Sequence, residues 1–454
     1  MRGPCASPFK STWLAPGAVC FADFFGLNCT VPTLPVFLLA LASTTLTESE
    51  ATDWSRTWSG LILSAQALAK MPGHLVWGRA SAKLGSRPTV TVVMVLNAVA
   101  FAASALFAIG GLPLGAVAGL LVVRLLAGFF APIVPAFVFL FDRQAPSPAL
   151  VAAIGKLGGM ILAGLTLGSA SVGLPFGSAA AVWAGVCALS ALVALLVLIP
   201  VYTAPPVLAD VAASARRKPE GVRKALGSRE YLTHALTSCA SGWSVVICTA
   251  LPAVHEALYF EYAVEMIALF ATVSALLNVM TAIGVVPRLV ARYSIARSVY
   301  IGHTWQVVTM VLLSLPWVNR HRVAYPVAVA ATFPGLCLAV NPNQGRASII
   351  ARLYTVNGTG TLTGVSRLLF SFGEFTAPLV CINLLYPVGR GSLAATEPRI
   401  GTMLPYMLSA VIHAAVLAAY AALGISPSHV DAPPAVKAQP SSTSSASAAP
   451  AAVS

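Results

Sequence analysis

The stretch from Trp58 to Pro88 most constrains what this chain can fold into. It opens with the apolar run WSGLILSAQALAKMPGHLVW, which reaches the roughly 20 residues that a helix needs to cross a bilayer. Lys70 lies about midway along the run, where a charge is costly in hydrocarbon. A basic turn follows from Gly78 to Arg87, and Pro88 suits the start of another helix. The stretch therefore predicts a membrane helix, a tight turn and a second membrane helix.

Composition extends this prediction to the whole chain. Of its 454 residues, 57% are apolar and 9% are charged, whereas a soluble domain carries about 25% charged residues. So few charges cannot cover a water-soluble globule, and the apolar runs are continuous rather than alternating, which argues against a membrane barrel. We expect an all-α polytopic membrane protein. The cysteines lie mostly inside apolar runs without paired spacing, so we expect no disulfide framework, metal site or cofactor.

Apolar windows of about 20 residues predict twelve spans in two six-helix halves. We place an N-terminal half at 1–202, a charged linker at 203–231, a C-terminal half at 232–425 and a disordered tail at 426–454. The predicted spans are 13–40, 57–78, 88–110, 114–141, 149–171, 178–202, 232–258, 264–287, 298–318, 324–345, 362–387 and 402–425.

The distribution of charge predicts the orientation. Most of the 27 Lys and Arg residues fall in the even-numbered loops and at the termini, and such loops face the cytoplasm. Both termini are then cytoplasmic, while the outer loops collect acids such as Glu48, Glu50, Asp53 and Glu256 and hold few basic residues, with Arg56 among them. The net charge of +13 thus reflects topology rather than a nucleic-acid surface. We expect a monomer in a lipid bilayer, and the pattern leaves open whether that is the plasma membrane or an organelle.

Two basic turns indicate an internal duplication. GRASAKLGSRP begins at Gly78 and GVVPRLVARYSIARS begins at Gly284. Each follows the second span of its half, so the halves are expected to be parallel repeats.

The first turn and four other motifs resemble the major facilitator superfamily. Gly78, Lys83, Gly85 and Arg87 match its loop between spans two and three, although Ala82 replaces the family's aspartate. The remaining motifs are similar to its drug:proton antiporter and vesicular amine transporter group, except that Ser169 replaces a proline in span five. Those motifs are Ala22–Gly26 with Val31–Pro35 in span one, Arg124–Gly128 in span four, Gly155, Gly164 and Gly168 in span five, and Gly364 with Gly373–Pro378 in span eleven.

This resemblance implies a secondary transporter that moves a small organic solute by alternating access. We expect proton coupling, with the solute and protons as partners. The antiporter group suggests an amine or a drug-like solute. Two alternatives remain open at this point: an organic-anion transporter, and a receptor or scaffold that keeps the fold without transport. No clustered catalytic residues at a membrane face suggest an enzyme, and no phosphate-binding loop suggests ATP as the energy source.

Five charged residues are predicted at membrane depth, where a charge needs a functional or structural reason. Asp23 lies about 15 Å into span one at 1.5 Å per residue, near the midplane. In the fold that the sequence resembles, spans one and four line the central cavity. We therefore interpret Asp23 as the proton or cation acceptor and Arg124 as its partner. The alternative is a purely structural ion pair. The five residues are Asp23, Lys70, Arg124, Arg367 and Glu374.

Lys70 and Glu374 are predicted to form a second pair. In the family's fold, spans two and eleven face each other across the halves, and helical rise puts the two residues at similar depths. A bridge made in one state and broken in another would act as a gate, and Arg367 lies two turns from Glu374 on the same face. The alternative is that Lys70 extends toward the cytoplasmic surface.

The Gly78–Arg87 hairpin is interpreted as gate machinery without the family's acid. Arg79, Lys83 and Arg87 could bind Asp142 or anionic lipid. They could equally serve only to orient the chain in the membrane.

Overall fold

The structure is a computed structural model that describes residues 12–109, 117–143, 148–174, 177–207, 222–293, 295–354, 359–388 and 400–422. All regular structure in these ranges is helical, which confirms the all-α class. Nine of the described helices are long and apolar enough to cross a membrane. The predicted tail and the middle of the predicted linker lie outside the described residues.

The helices of the N-terminal half follow the predicted spans. The second span differs in length, because its helix begins at Glu48, well before the predicted start at residue 57. In order, the helices are α1 (Leu14–Ala42), α2 (Glu48–Leu84), α3 (Ser86–Ile109), α4 (Val117–Phe129, continued by Ile133–Phe141), α5 (Pro148–Val172) and α6 (Ala179–Leu196, continued by Leu198–Thr203).

The early start of α2 has a local cause. Thr47 donates to Glu50 Oε2 from both its backbone nitrogen, at 3.1 Å, and its hydroxyl, at 2.7 Å. These hydrogen bonds favour the ionised carboxylate and hold the pKa of Glu50 below its ordinary value of 4.5. Acids in the first turn also suit the positive end of the helix dipole. Residues that resemble a loop by charge therefore continue the helix.

The C-terminal half repeats the pattern, with short helices at Val222–Leu226 and Pro316–Arg320. The prediction of twelve helices is consistent with this arrangement, since α2, α5 and α9 are helical where spans were predicted although they fall outside the nine most apolar helices. The helices of this half are α7 (Arg229–Leu258), α8 (Val264–Met280, continued by the π-helical turn Thr281–Val285 and by Val286–Tyr293), α9 (Ile295–Ser314), α10 (Ala324–Tyr354), α11 (Thr359–Ala377, continued by the π-helical Pro378–Leu385) and α12 (Ile400–Ala422).

Each half has its own apolar core. One cluster is built from the N-terminal half and includes Met94, Val134 and Phe137. Another is built almost wholly from the C-terminal half around Leu251 and Tyr406, with Val31 of α1 as its contribution from the other half. Apolar residues also pack between the halves, as in the cluster that joins Phe25 and Val172 with Ala268, and the polar contacts between the halves position the site.

Candidate functional site

A buried ion pair joins the two halves. Lys70 Nζ of α2 lies 3.1 Å from Glu374 Oε2 of α11, and the two side chains are 12% and 7% exposed. The same Glu374 oxygen accepts a hydrogen bond from Ser371 Oγ at 3.4 Å. Ser371 in turn contacts His74 Nε2 at 3.1 Å. The structure thus brings the predicted Lys70–Glu374 pair together and extends it into a four-residue polar chain along the α2–α11 interface.

The α2–α11 interface is closed at both ends. At the end that carries the Gly78–Arg87 hairpin, a Cβ on Gly78 would lie 2.7 Å from the carbonyl oxygen of Gly360. At the opposite end, which we call the far end, Arg56 Nη1 donates to the carbonyl oxygen of Ile382 at 2.9 Å. The assignment of Arg56 to an exposed loop was therefore wrong, because the extended α2 buries it.

Arg367 lies two turns from Glu374 but pairs with an amide. Its Nη2 donates to Gln344 Oε1 at 2.8 Å, and its side chain is buried. The guanidinium carbon also lies 5.1 Å from the ring centroid of Phe137 on α4, a distance typical of a cation–π contact. Arg367 therefore makes a second contact between the halves at the hairpin end.

Asp23 faces the same group of charges. Among the described residues it forms no hydrogen bond or close ion pair. It interacts electrostatically with Lys70, Glu374 and Arg367. Asp23 therefore belongs to the charge group around the α2–α11 ion pair.

Arg124 does not meet Asp23. Its Nη1 donates to Thr30 Oγ1 at 3.2 Å, and Thr30 lies seven residues from Asp23, about 10 Å along α1. The guanidinium carbon lies 4.9 Å from the ring of Trp183 and 5.7 Å from that of Phe101. The expected pair is therefore not formed in this structure, because α4 places Arg124 two turns away along α1. All its named contacts lie within the N-terminal half.

The Gly78–Arg87 hairpin binds the end of α6. Gly85 ends α2 with a φ of +89°, a backbone conformation that favours glycine. Arg87 Nη2 donates to the carbonyl oxygen of Ala204 at 2.8 Å. Arg143 supports the turn by donating to Ser86 Oγ at 3.0 Å, a role the sequence did not reveal. Lys83 is exposed in the last turn of α2.

The motif glycines lie where helices cross. A Cβ on Gly128 would clash with the carbonyl oxygen of Gln66, and one on Gly164 with that of Phe21. A Cβ on Gly168 would lie 2.6 Å from the carbonyl oxygen of Phe25. These glycines therefore allow α4 to approach α2 and α5 to approach α1 within the N-terminal half. Next to them, Ser169 accepts a hydrogen bond from Asn28 of α1, so the residue that replaces proline ties α5 to α1.

Two neighbouring cavities lie between the halves. The first, the pair cavity, encloses about 380 Å³ and is lined by Lys70, Glu374 and Gln66. The second, the acid cavity, encloses about 510 Å³ and contains the carboxyl side chain of Glu256 from α7. Val31 and Thr249 line both. The acid cavity is also lined by Asn28, Leu165, Phe270, Ser274 and Phe333.

Glu256 was missed as a site residue because it was grouped with the acids of the outer loops. It is 3% exposed, near the end of α7. Other buried polar residues bond helices to one another within the C-terminal half. His303 Nδ1 lies 2.7 Å from His413 Nδ1, and Gln306 Nε2 donates to the carbonyl oxygen of Thr332 at 2.7 Å.

A bundle of apolar helices in two halves, with charges and cavities buried where the halves meet, defines a polytopic membrane transporter rather than an enzyme. The family model of the Major Facilitator Superfamily matches residues 17–378, and the chain belongs to that family. The fold and the family therefore define the chain as a membrane transporter.

Solved structures share the fold at low sequence identity. The proton:xylose symporter XylE, bound to 6-bromo-6-deoxy-D-glucose, matches with a TM-score of 0.67 and 14% identity, over 90% of this chain and 94% of that one. The human organic anion transporter MFSD10 (TETRAN) matches with a TM-score of 0.65 and 16% identity, over 91% of this chain and all of that one. At these identities the likeness establishes the fold alone.

One curated relative matches part of the chain. The staphyloferrin B transporter of Staphylococcus aureus is 29% identical over 164 residues, which cover 36% of this chain. The match spans 35% of the length of that relative. This match supports the superfamily. None of these matches assigns the chain to the drug:proton antiporter group that the motifs suggested.

Proposed function

We propose that the chain is a proton-coupled secondary transporter that moves a small organic solute by alternating access. The observation that carries the proposal is the Lys70–Glu374 ion pair, at 3.1 Å across the two halves. A buried pair that spans a movable interface is costly to break by removing one partner and can be exchanged for other partners when the interface opens. Such a pair suits a gate.

Asp23 supplies the link to protons in this proposal. Asp23 and Lys70 belong to the N-terminal half, whereas Glu374 belongs to the C-terminal half. An ionised Asp23 attracts Lys70 within its own half and so competes with Glu374. A protonated Asp23 leaves Lys70 to Glu374, which favours the closed interface. Proton binding thereby shifts the population between open and closed states, with Lys70 rather than Arg124 as the partner of Asp23.

The proposal also covers the orientation of the chain in the membrane and the role of the hairpin. Both termini and the Gly78–Arg87 hairpin face the cytoplasm, in keeping with the positive-inside rule. The chain acts as a monomer in the bilayer. The segment 203–231 links its two halves. Opening at the hairpin end would separate Gly78 from Gly360 and Arg367 from Phe137.

The solute is either a drug-like amine or an organic anion. The motif resemblance favours the amine, whereas MFSD10 and the staphyloferrin B transporter bring anionic or siderophore solutes into consideration by their names. With Glu256 included, the buried charges near the site number three basic and three acidic. Because these charges balance, their count favours neither kind of solute.

Uptake into proteoliposomes tests the proposal. We would impose a pH gradient and measure the organic cation tetraphenylphosphonium and the organic anion p-aminohippurate, for wild type and for Asp23→Asn. The control is Glu265→Gln, since Glu265 is an exposed acid of α8. We expect wild type and control to accumulate one probe and Asp23→Asn to lose accumulation while it retains exchange of labelled for unlabelled probe. Gradient-driven uptake by Asp23→Asn at the wild-type rate would contradict the coupling role, and binding of a probe without any flux would favour a scaffold.

A further inference from the structure

Glu256 is a buried acid that the proposed gate does not use. It lies on α7 near the far end, lines the acid cavity and is 3% exposed. The cavity walls around it are mostly apolar, with Phe270 and Phe333 among them. Its carboxyl group thus lines a mostly apolar cavity between the halves.

No described side chain neutralises this carboxyl group. Neither of the ion pairs formed among the described residues involves Glu256, and no described donor bonds to its side chain. The hydrogen bond from Tyr262 N, at 3.0 Å, is accepted by the backbone carbonyl oxygen of Glu256 and does not involve the carboxyl group.

The helices around the cavity present few titratable groups to Glu256. Tyr262, Tyr325 of α10 and Tyr406 of α12 interact with it electrostatically. The neighbouring His255 is engaged elsewhere, with the Tyr386 hydroxyl at 3.0 Å and the carbonyl oxygen of Asn319 at 3.1 Å. Polar or thiol side chains that also line the cavity include Asn28 from α1, Cys248 of α7 itself and Ser274 from α8. None of these groups supplies a positive charge.

We propose that Glu256 is a second proton-binding site, distinct from Asp23, which carries a proton while the acid cavity is closed. An ionised carboxylate in an apolar enclosure without a cation or donor is strongly disfavoured, and such a group becomes neutral instead. The proton comes from water at the carboxylate oxygen before closure. It returns to water when the halves separate and the carboxyl group is hydrated.

The two proton sites differ in what their protons control. Asp23 shares its electrostatic surroundings with Lys70, so its charge affects the pair. Glu256 has no such partner, so its charge affects whether the empty cavity can close. Closing over a neutral Glu256 avoids burying an isolated charge, which makes closure of the empty carrier depend on this proton.

Infrared spectroscopy of the purified full-length protein tests the proposal without a transported solute. A protonated carboxyl group has a C=O stretching band that shifts to lower frequency in D₂O. We would compare wild type near neutral pH with Glu256→Gln, with Asp23→Asn to remove the other acid, and with Glu265→Gln as the exposed control. We expect Glu256→Gln to lose a band that the Asp23→Asn and Glu265→Gln variants retain. An unchanged carboxylic-acid region in folded Glu256→Gln would overturn the proposal.

A second measurement guards against effects of the substitution on folding. Glu256→Asp keeps a carboxyl group, and we expect it to retain a band at a shifted frequency. Melting temperature should also fall more steeply with rising pH for wild type than for Glu256→Gln, because alkaline pH forces a charge into the closed cavity of wild type alone. Equal pH dependence would count against the proposal. Since neither readout involves transport, failure of Asp23 as the coupling residue would leave both results unchanged.

Discussion

Lys70, which is 12% exposed, and the buried Arg124 are both basic residues of the N-terminal half, but Lys70 pairs with an acid and Arg124 does not. Lys70 reaches across to Glu374 of the other half at 3.1 Å. Arg124 stays within its own half, between the rings of Phe101 and Trp183 and beside the hydroxyl of Thr30. In the proposed alternating-access cycle, the partner of Lys70 would move relative to it, whereas the neighbours of Arg124 would move with it.

This difference separates contacts that change during transport from contacts that persist. The Lys70–Glu374 pair and the Gly78–Gly360 contact lie between the halves and must be broken for the site to open. The contacts of Arg124, and those of Gly164 with α1, lie within a half and can remain in every state. Interhalf contacts should therefore govern the conformational equilibrium, and intrahalf contacts should govern the stability of each half.

The largest effect is expected from removing one member of the ion pair. Lys70→Met leaves Glu374 as a buried, unpaired charge, which typically costs about 3–5 kcal/mol. Thermal unfolding in detergent would measure the loss of stability, and proteoliposome uptake would measure the loss of transport.

The matched control for this prediction is the exchanged pair, Lys70→Glu with Glu374→Lys. It restores opposite charges at the same positions and should recover part of the lost stability. If Lys70→Met were as stable as wild type, the pair would not hold the halves together. If the exchanged pair were no more stable than Lys70→Met, stability at these positions would depend on the neighbouring charges rather than on the pair.

A smaller effect is expected from crowding the helix crossings. A valine at Gly164 would meet the carbonyl oxygen of Phe21 within one half, and we expect a loss of about 1–3 kcal/mol, as overpacking usually gives. Gly78→Val meets Gly360 between halves, so the halves can relieve it by separating, and the loss should be smaller. Gly159→Val is the control on the same helix as Gly164, because a Cβ there has no neighbour within 4 Å.

Thermal unfolding and the accessibility of the pair cavity to a labelling reagent would distinguish these glycine variants. Gly164→Val should lower the melting temperature, while Gly78→Val should mainly increase the labelling of a cysteine introduced at Gln66, which lines the pair cavity. A Gly78→Val protein as destabilised as Gly164→Val would contradict the separation between the two kinds of contact.

Sequence patterns predicted the positions of the helices and the Lys70–Glu374 contact, and there are physical reasons why they could. A bilayer requires long apolar helices, so span positions follow from hydropathy. Lys70 and Glu374 could be matched because both depths were counted from helix ends at the same membrane face. The expected Asp23–Arg124 pair was not found because depth along α4 depends on where its helix breaks before Pro132 and on how it crosses α1. Neither quantity is contained in residue spacing.

Two residues near the ends of helices were not recognised from the sequence as buried. Glu256 and Arg56 were counted with loop charges, because charges near a span end are normally solvated there. The structure instead extends α2 from the Thr47–Glu50 cap and buries Glu256 in a cavity formed by several helices. Such burial arises from packing between distant segments, which a single sequence without aligned relatives does not reveal.

The smallest effect on stability is expected at Arg124, and it tests the comparison most directly. Its Nε and Nη2 atoms are buried and have no hydrogen-bond partner in the part of the chain that the structure describes. Replacing an unpaired buried charge by an apolar side chain is often neutral or stabilising, so Arg124→Met should melt at or above the wild-type temperature. Arg124→Lys keeps the charge but loses the planar group that stacks on Trp183 and Phe101, and it should melt lower than Arg124→Met. If Arg124→Met instead lost as much stability as Lys70→Met, Arg124 would need an acidic partner in the folded protein, and the contrast between the two bases would fail.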